Sequence, residues 1–155
     1  MTFRDLVQER ISKPPDMDST DTILTPDLAA RFATGYRAYG GEFGKARLIQ
    51  CNDFWDLNGG IYSNPHDMIR YTAAAMGLCP SALSDAWTVS ELPFALREER
   101  PQLLLQGLLW EIMPLPDGTA LIMKTGEKNA FQTQMIFSRP YKKGVLVFIN
   151  TAYLG

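Results

Sequence analysis

Cysteine and histidine are scarce in this chain: its 155 residues include two cysteines, Cys51 and Cys79, and one histidine, His66. Two cysteines allow at most one disulfide, and neither belongs to a Cys-x-x-Cys pair; the reading adopted is two buried thiols. A lone histidine without neighbouring ligands excludes a zinc site, and no cofactor is implied. Positive charge is not in surplus either. The net charge is −2 and the lysines and arginines are scattered, so the basic stripe of a nucleic-acid-binding protein is missing. No apolar run approaches the roughly 20 residues of a membrane span. The opening residues Met1-Thr2-Phe3-Arg4-Asp5 place charge early, with no apolar stretch after it, which is not the pattern of a secretory signal. The expectation is a chain that begins in the cytoplasm or derives from something longer.

The first two thirds of the chain carry helical signals. Phe3, Leu6, Val7 and Ile11 recur at helical spacing among polar residues, and Pro14-Pro15 ends that helix. Thr25-Pro26-Asp27 is a helix start, with Thr25 as N-cap and Pro26 in the first turn, for a short helix running towards Gly35. Residues Gly35 to Gly60 hold six glycines and no sustained period, which reads as a long loop with a short strand near Ala46–Gln50. Ser63-Asn64-Pro65-His66-Asp67 opens a further helix, buried through Met68, Ile69, Tyr71, Thr72, Ala75 and Met76 and ended by Gly77. Ala82 to Arg100 reads as broken helix interrupted by Pro93, with Glu91, Arg97, Glu98, Glu99 and Arg100 on a solvated face.

The pattern then changes. Leu108–Leu115, Thr119–Lys124, Gln132–Ser138 and Val145–Ala152 are apolar, β-branched or aromatic runs. Pro116-Asp117-Gly118, Gly126-Glu127-Lys128-Asn129 and Pro140-Tyr141-Lys142-Lys143-Gly144 separate them as turns at hairpin spacing. The expected fold is α+β: a mainly helical and loop region over 1–107, followed by an antiparallel β-meander over 108–155 within one partial domain. Met113, Met123 and Met135 belong to the core, and Trp55, Trp87 and Trp110 anchor packing.

Four segments, in order, give the chain a family resemblance. They are Phe3 to Pro14 with Met17-Asp18-Ser19-Thr20; Leu24-Thr25-Pro26 through Tyr36; Gly59-Gly60-Ile61-Tyr62-Ser63-Asn64-Pro65-His66-Asp67-Met68-Ile69-Arg70; and Lys124-Thr125-Gly126 followed by Phe131 and the strand Gly144–Asn150. Together they resemble the class C β-lactamase and penicillin-binding-protein-like serine hydrolases, in their C-terminal portion. The resemblance implies a β-lactamase/transpeptidase-like fold, acyl transfer by a serine in a Ser-x-x-Lys motif, and a Tyr-x-Asn motif that handles protons. It also implies a periplasmic or secreted full-length protein acting on a small molecule or peptide.

The departures from that pattern are specific. None of Ser12, Ser19, Ser63, Ser81, Ser84, Ser90 and Ser138 has a lysine three positions on, so no catalytic residue is assigned. Tyr62-Ser63-Asn64 spells Tyr-x-Asn, but its position matches the helix entry, where Tyr62 packs and Ser63 or Asn64 caps. In the family both catalytic motifs precede the helix that Phe3 to Ile11 resembles, and a closing helix follows the last strand. Neither has a counterpart here. The site that remains is for substrate: Lys124 to hold a carboxylate, Thr125 to add a hydroxyl, Gly126 to let a ligand approach the backbone, and the Glu127 N–H to supply half an oxyanion hole. The Glu127 carboxylate, where the family has a small residue, repels an anionic substrate by about 1 kcal/mol in a solvated cleft. The chain is therefore expected to be inactive alone. Other readings are a non-catalytic binding or assembly module that keeps the Lys-Thr-Gly strand, and a site completed by a second chain. Self-association or pairing with an upstream half is expected, because apolar residues of the sheet lack the helices that cover them in the family.

Overall fold

The computed structural model describes residues 1–39, 42–46, 59–98 and 103–153. The predicted strand near Ala46–Gln50, as well as Cys51 and Trp55, lies wholly or largely outside them.

Local capping decides the helices. Thr2 caps α1 (Phe3–Leu6) in a reciprocal capping box with Asp5, and the chain continues as a π-helical stretch, Val7–Ser12, burying Val7 and Ser12. Thr25 caps α2 (Pro26–Arg31) by accepting from the Leu28 N–H, as the sequence predicts. Asn64 caps α3 (Pro65–Ala75) by accepting from the Asp67 N–H at 2.8 Å. Gly77 then ends α3 in a left-handed conformation, φ 75°. A fourth helix, α4, spans Ser84–Ser90.

Between α2 and α3 the structure departs from the expected loop. Tyr36–Tyr39 (β1) and Glu42–Lys45 (β2) pair antiparallel. The segment after Pro93 is also not helical: Ala95–Glu98 (β3) pairs with Leu104–Gln106 (β4). Proline stops α4, and the residues beyond it gain ladder hydrogen bonds from a partner that helical periodicity cannot reveal. Arg97 consequently lies on a strand and pairs with Glu111, while the side chain of Glu91, only 10% exposed, receives two hydrogen bonds of 2.8 Å from Arg139. For these residues the solvated helix face is replaced by cross-element ion pairs.

β5 (Glu111–Pro114), β6 (Ala120–Lys128), β7 (Phe131–Ser138) and β8 (Lys143–Ile149) complete a six-stranded antiparallel sheet in the order β3-β4-β5-β6-β7-β8. The last strand, β9 (Thr151–Tyr153), does not extend this meander. It leaves to pair parallel with β1 in a second sheet ordered β2-β1-β9. The fold is α+β with mainly antiparallel sheets.

The core lies between α3, α4 and one face of the large sheet: Ala74, Ala75, Trp87, Trp110, Ile112, Ile122, Met135 and Phe137. Two edge-to-face aromatic pairs organise it, Trp110 on Phe137 at 5.6 Å and Tyr71 on Trp87 at 5.5 Å. Both indoles satisfy their N–H groups, Trp87 on the Tyr71 hydroxyl and Trp110 on the Ser90 hydroxyl. Met123 and Met135 are buried, and Met113 is half-buried. Cys79 is a free, exposed thiol rather than a buried one, because it follows the left-handed stop at Gly77 and leaves the α3 face.

Candidate substrate strand

β6 carries all four predicted site residues, but not at its end. Lys124 is central in Ala120–Lys128, and the strand continues through Thr125, Gly126, Glu127 and Lys128, each paired to β7. The turn forms at Asn129, whose φ of 55° supplies the left-handed residue the hairpin needs. Gly126 stays within the ladder, opposite Thr133. A Cβ there would approach the Thr133 hydroxyl to 2.9 Å, so close approach, not turning, explains this glycine.

The other neighbour of β6 leaves early. β5 pairs with β6 only from Ala120 to Met123. Among the described residues, the β6 edge from Lys124 to Lys128 therefore has no strand on its β5 side. Such an edge offers backbone groups to an extended ligand.

Alternation divides the side chains. Lys124 and Gly126 share the face of Met135, whose sulfur accepts from the Thr72 hydroxyl of α3 at 3.1 Å. Thr125 and Glu127 point to the opposite face with Gln134 and Gln132. There a shallow depression of about 320 Å³ forms over Thr125, Glu127, Gln132, Gln134, Val147 and Ile149. Lys124 is exposed and its ammonium donates to the Thr125 carbonyl at 2.6 Å. The four residues thus lie together along one strand but serve two faces and one edge.

The Tyr62-Ser63-Asn64 triplet is taken up in structure. Tyr62 forms a backbone bridge with Asp21 in both directions and stacks edge-on against Phe32 at 5.6 Å. The Ser63 hydroxyl lies 2.7 Å from that of Thr20, and Asn64 caps α3. His66 is largely exposed, and Asn150 donates to the Thr34 carbonyl. Among the described residues, no three His, Cys, Asp or Glu side chains come together as a metal site, and no helix is long and apolar enough to cross a membrane.

Two ties between segments distant in the chain escape sequence reasoning. Arg37 of β1 donates twice to the Asn129 carbonyl, at 3.1 and 2.8 Å, tying the β6–β7 turn to the small sheet. Asp67, nearly fully buried, accepts from the Ser19 N–H at 2.8 Å and from the Thr20 hydroxyl at 2.7 Å. Its place in the first turn of α3 was a legible signal; its partners, distant in sequence, were not.

The β-lactamase family model matches residues 1–155, and the chain belongs to that family. No curated protein matches it. Among solved structures it is similar to a β-lactamase/D-alanine carboxypeptidase of Pseudomonas syringae: 21% identity, TM-score 0.82, covering 97% of this chain and 49% of that one. It is also similar to a class C β-lactamase of Rhodobacter sphaeroides, at 20% identity and TM-score 0.81, over 99% of this chain and 50% of that one. A third similarity is to the D-alanine carboxypeptidase AmpC of Burkholderia cenocepacia, at 20% identity and TM-score 0.83, over 98% and 51%. The chain spans about half the length of these structures.

Proposed function

We propose that this chain is the substrate-strand half of a β-lactamase-related serine hydrolase, one partial domain over 1–155 that aligns and polarises an acyl substrate along β6. The observation that carries this reading is the β6 edge at Lys124–Lys128, which among the described residues has no strand on its β5 side, in a member of this family. An extended substrate lies beside that edge as an added strand. Lys124 holds a carboxylate, Thr125 adds a hydroxyl, Gly126 permits close approach and the Glu127 N–H polarises the carbonyl. The serine that attacks a β-lactam, D-alanyl peptide or ester comes from an upstream half, in the same or a separate polypeptide. Without it the chain is inactive, since a serine with no activating base is a poor nucleophile. The full assembly is periplasmic or secreted. The Glu127 carboxylate biases the substrate towards neutral esters and amides.

The second reading is a non-catalytic binding or assembly module. It is favoured by the lack of any serine followed three positions on by lysine. Labelling with a fluorescent penicillin, with and without the upstream polypeptide, separates the two. The first reading expects no adduct on the chain alone and serine labelling of the upstream half in the assembly. Labelling of any serine in this chain, or none in the assembly, overturns it.

A further inference from the structure

Hairpin turns belong to the surface, and two in the β5–β8 meander conform: Asp117 and Gly118 before β6, and Tyr141 and Lys142 before β8, are exposed. The turn between β6 and β7 does not. Ala130 is 0% exposed and Asn129 is half-buried. Phe32, Gly35 and Arg37, from the segment that joins α2 to β1, close around it together with Gly59, ahead of α3. A Cβ on Gly35 would come within 2.9 Å of the Ala130 Cβ and 3.0 Å of the Phe131 ring. Phe131 packs on Phe32 with ring centroids 5.2 Å apart. A Cβ on Gly59 would meet the Lys128 stem at 3.3 Å. Arg37 donates from Nε and Nη2 to the one carbonyl oxygen of Asn129, at 3.1 and 2.8 Å. The gripping segment is itself fixed: the Tyr36 N–H donates to the Asn150 carbonyl, and the Asn150 side chain donates to the Thr34 carbonyl.

We propose that these residues form a socket that aligns the Lys-Thr-Gly strand from its far end, with Arg37 as the positioning residue. The inference rests on the acyl-transfer reading for what the strand holds, and goes beyond it in naming what aligns the strand. β5 supports β6 only as far as Met123. From Lys124 to Lys128, among the described residues, β6 is paired to β7 alone. A two-stranded ribbon is marginal by itself and free to twist. Gripping its turn makes it a stretch fixed at both ends. Asn129 lies two residues past Glu127, about 7 Å along the strand, so a tilt of the turn carries to the Glu127 N–H. An oxyanion donor works within about 2.7–3.1 Å of the developing charge, and a misplacement of about 1 Å costs on the order of a hundredfold in rate. Burying a turn also removes water from its backbone groups. The Arg37 fork supplies the missing partner of the Asn129 carbonyl with two charge-assisted donors, where lysine would offer a point charge.

The test uses the full chain and two readouts. The first is amide hydrogen exchange of the Lys124–Phe131 amides that bond across the β6–β7 ladder. In the wild type they should be protected to within about tenfold of Ile122 and Met123. Arg37→Met keeps an apolar stem and should speed their exchange by about tenfold or more, leaving Ile122 and Phe137 unchanged. Gly35→Ala drives a methyl against Ala130 with Arg37 in place and should do the same; Arg37→Lys should fall between. The second readout is acylation by a fluorescent penicillin in the assembly with the upstream polypeptide. Arg37→Met should lower the maximal rate by about tenfold to a hundredfold and leave the half-saturating concentration little changed. A role in stability alone would reduce the amount of reactive protein and leave that rate untouched. Exchange that does not rise in Arg37→Met, or rises uniformly along the chain, overturns the proposal; so does an unchanged maximal rate. If Arg37→Met fails to fold, Gly35→Ala and the wild-type pattern decide. Wild-type ladder amides that exchange as fast as Lys142, which bonds only within its own exposed turn, overturn the socket. A wild-type assembly that takes no label removes the acyl-transfer reading, and the exchange pattern then decides the socket by itself.

Discussion

Removing the Asp67 carboxylate tests whether a buried polar knot, rather than apolar packing alone, holds the N-terminal segment on α3. Asp67 is 3% exposed. One of its oxygens accepts from the Ser19 N–H at 2.8 Å and the Thr20 hydroxyl at 2.7 Å. Thr20 spends its proton on Asp67, so Ser63, 2.7 Å away, must donate to Thr20. Asp67→Ala leaves the amide and the Thr20 hydroxyl without their acceptor. Hydrogen bonds to a charged group contribute about 1.5–3 kcal/mol each. A carboxylate in a helix's first turn adds about 0.3–1 kcal/mol. Because the terms are coupled, the expected loss is about 3–5 kcal/mol, or roughly 6–20 °C in Tm for a chain of this size. Asp67→Asn keeps an acceptor at the same position and gives up only the charge, for about 1–2 kcal/mol. His66→Ala removes a side chain that is 73% exposed and lies 3.6 Å from the other Asp67 oxygen, a weak solvent-exposed contact, and should cost no more than about 1 kcal/mol. Urea denaturation followed by circular dichroism measures all three. An Asp67→Ala variant within about 1 kcal/mol of wild type would refute the argument.

Two further perturbations probe the core and the charge pairs. Phe137 is fully buried and edge-on to Trp110, so Phe137→Ala should cost about 3–5 kcal/mol in urea denaturation; a loss below about 1 kcal/mol would place the core elsewhere. Acid should destabilise the fold through depressed carboxylates. The Arg4 guanidinium holds Asp21 below the usual carboxylate range, against the opposing effect of burial. The Tyr141 hydroxyl, with Thr119, brings Asp117 to about 2. Each folded pKa lies below its unfolded value, so the stabilisation is present above about pH 4 and is lost as pH falls through the folded values. Asp21→Asn should flatten part of that decline in a pH series of urea midpoints. An unchanged acid slope would show that the Arg4–Asp21 pair is not linked to folding.

Features encoded by neighbouring residues were legible in the sequence. Thr25-Pro26 and Asn64-Pro65 start helices because a cap and a first-turn proline act within one turn. The Lys-Thr-Gly strand was legible from its apolar run and from the family resemblance. Features that depend on distant partners were not. Gly40, Gly41 and Gly44 disguise the β1–β2 hairpin, which gains its outer neighbour from β9, more than 100 residues later. Glu91 resembles the charged residues around it until Arg139 arrives from the other end of β7. The extent of β6 was misjudged because Gly126 looks like a turn residue, whereas the backbone turns at Asn129.

The open edge at Lys124 has its origin in the core rather than in β6. β5 begins at Glu111 because the chain reverses just before it, where the Gly107 N–H bonds the Trp110 carbonyl. That reversal turns Trp110 inward, 6% exposed, onto Phe137 and the Ser90 hydroxyl. Glu111 pairs with Met123, so the strand that flanks β6 runs out one residue before Lys124. A longer β5 would have to pull Trp110 into the ladder. It would exchange a buried indole, whose burial contributes several kcal/mol by area, for a few backbone hydrogen bonds with net values near 1 kcal/mol each. Packing therefore wins over sheet extension at this point. The same anchoring that secures the core ends β5 before the Lys-Thr-Gly backbone, so that among the described residues no strand pairs with it on that side.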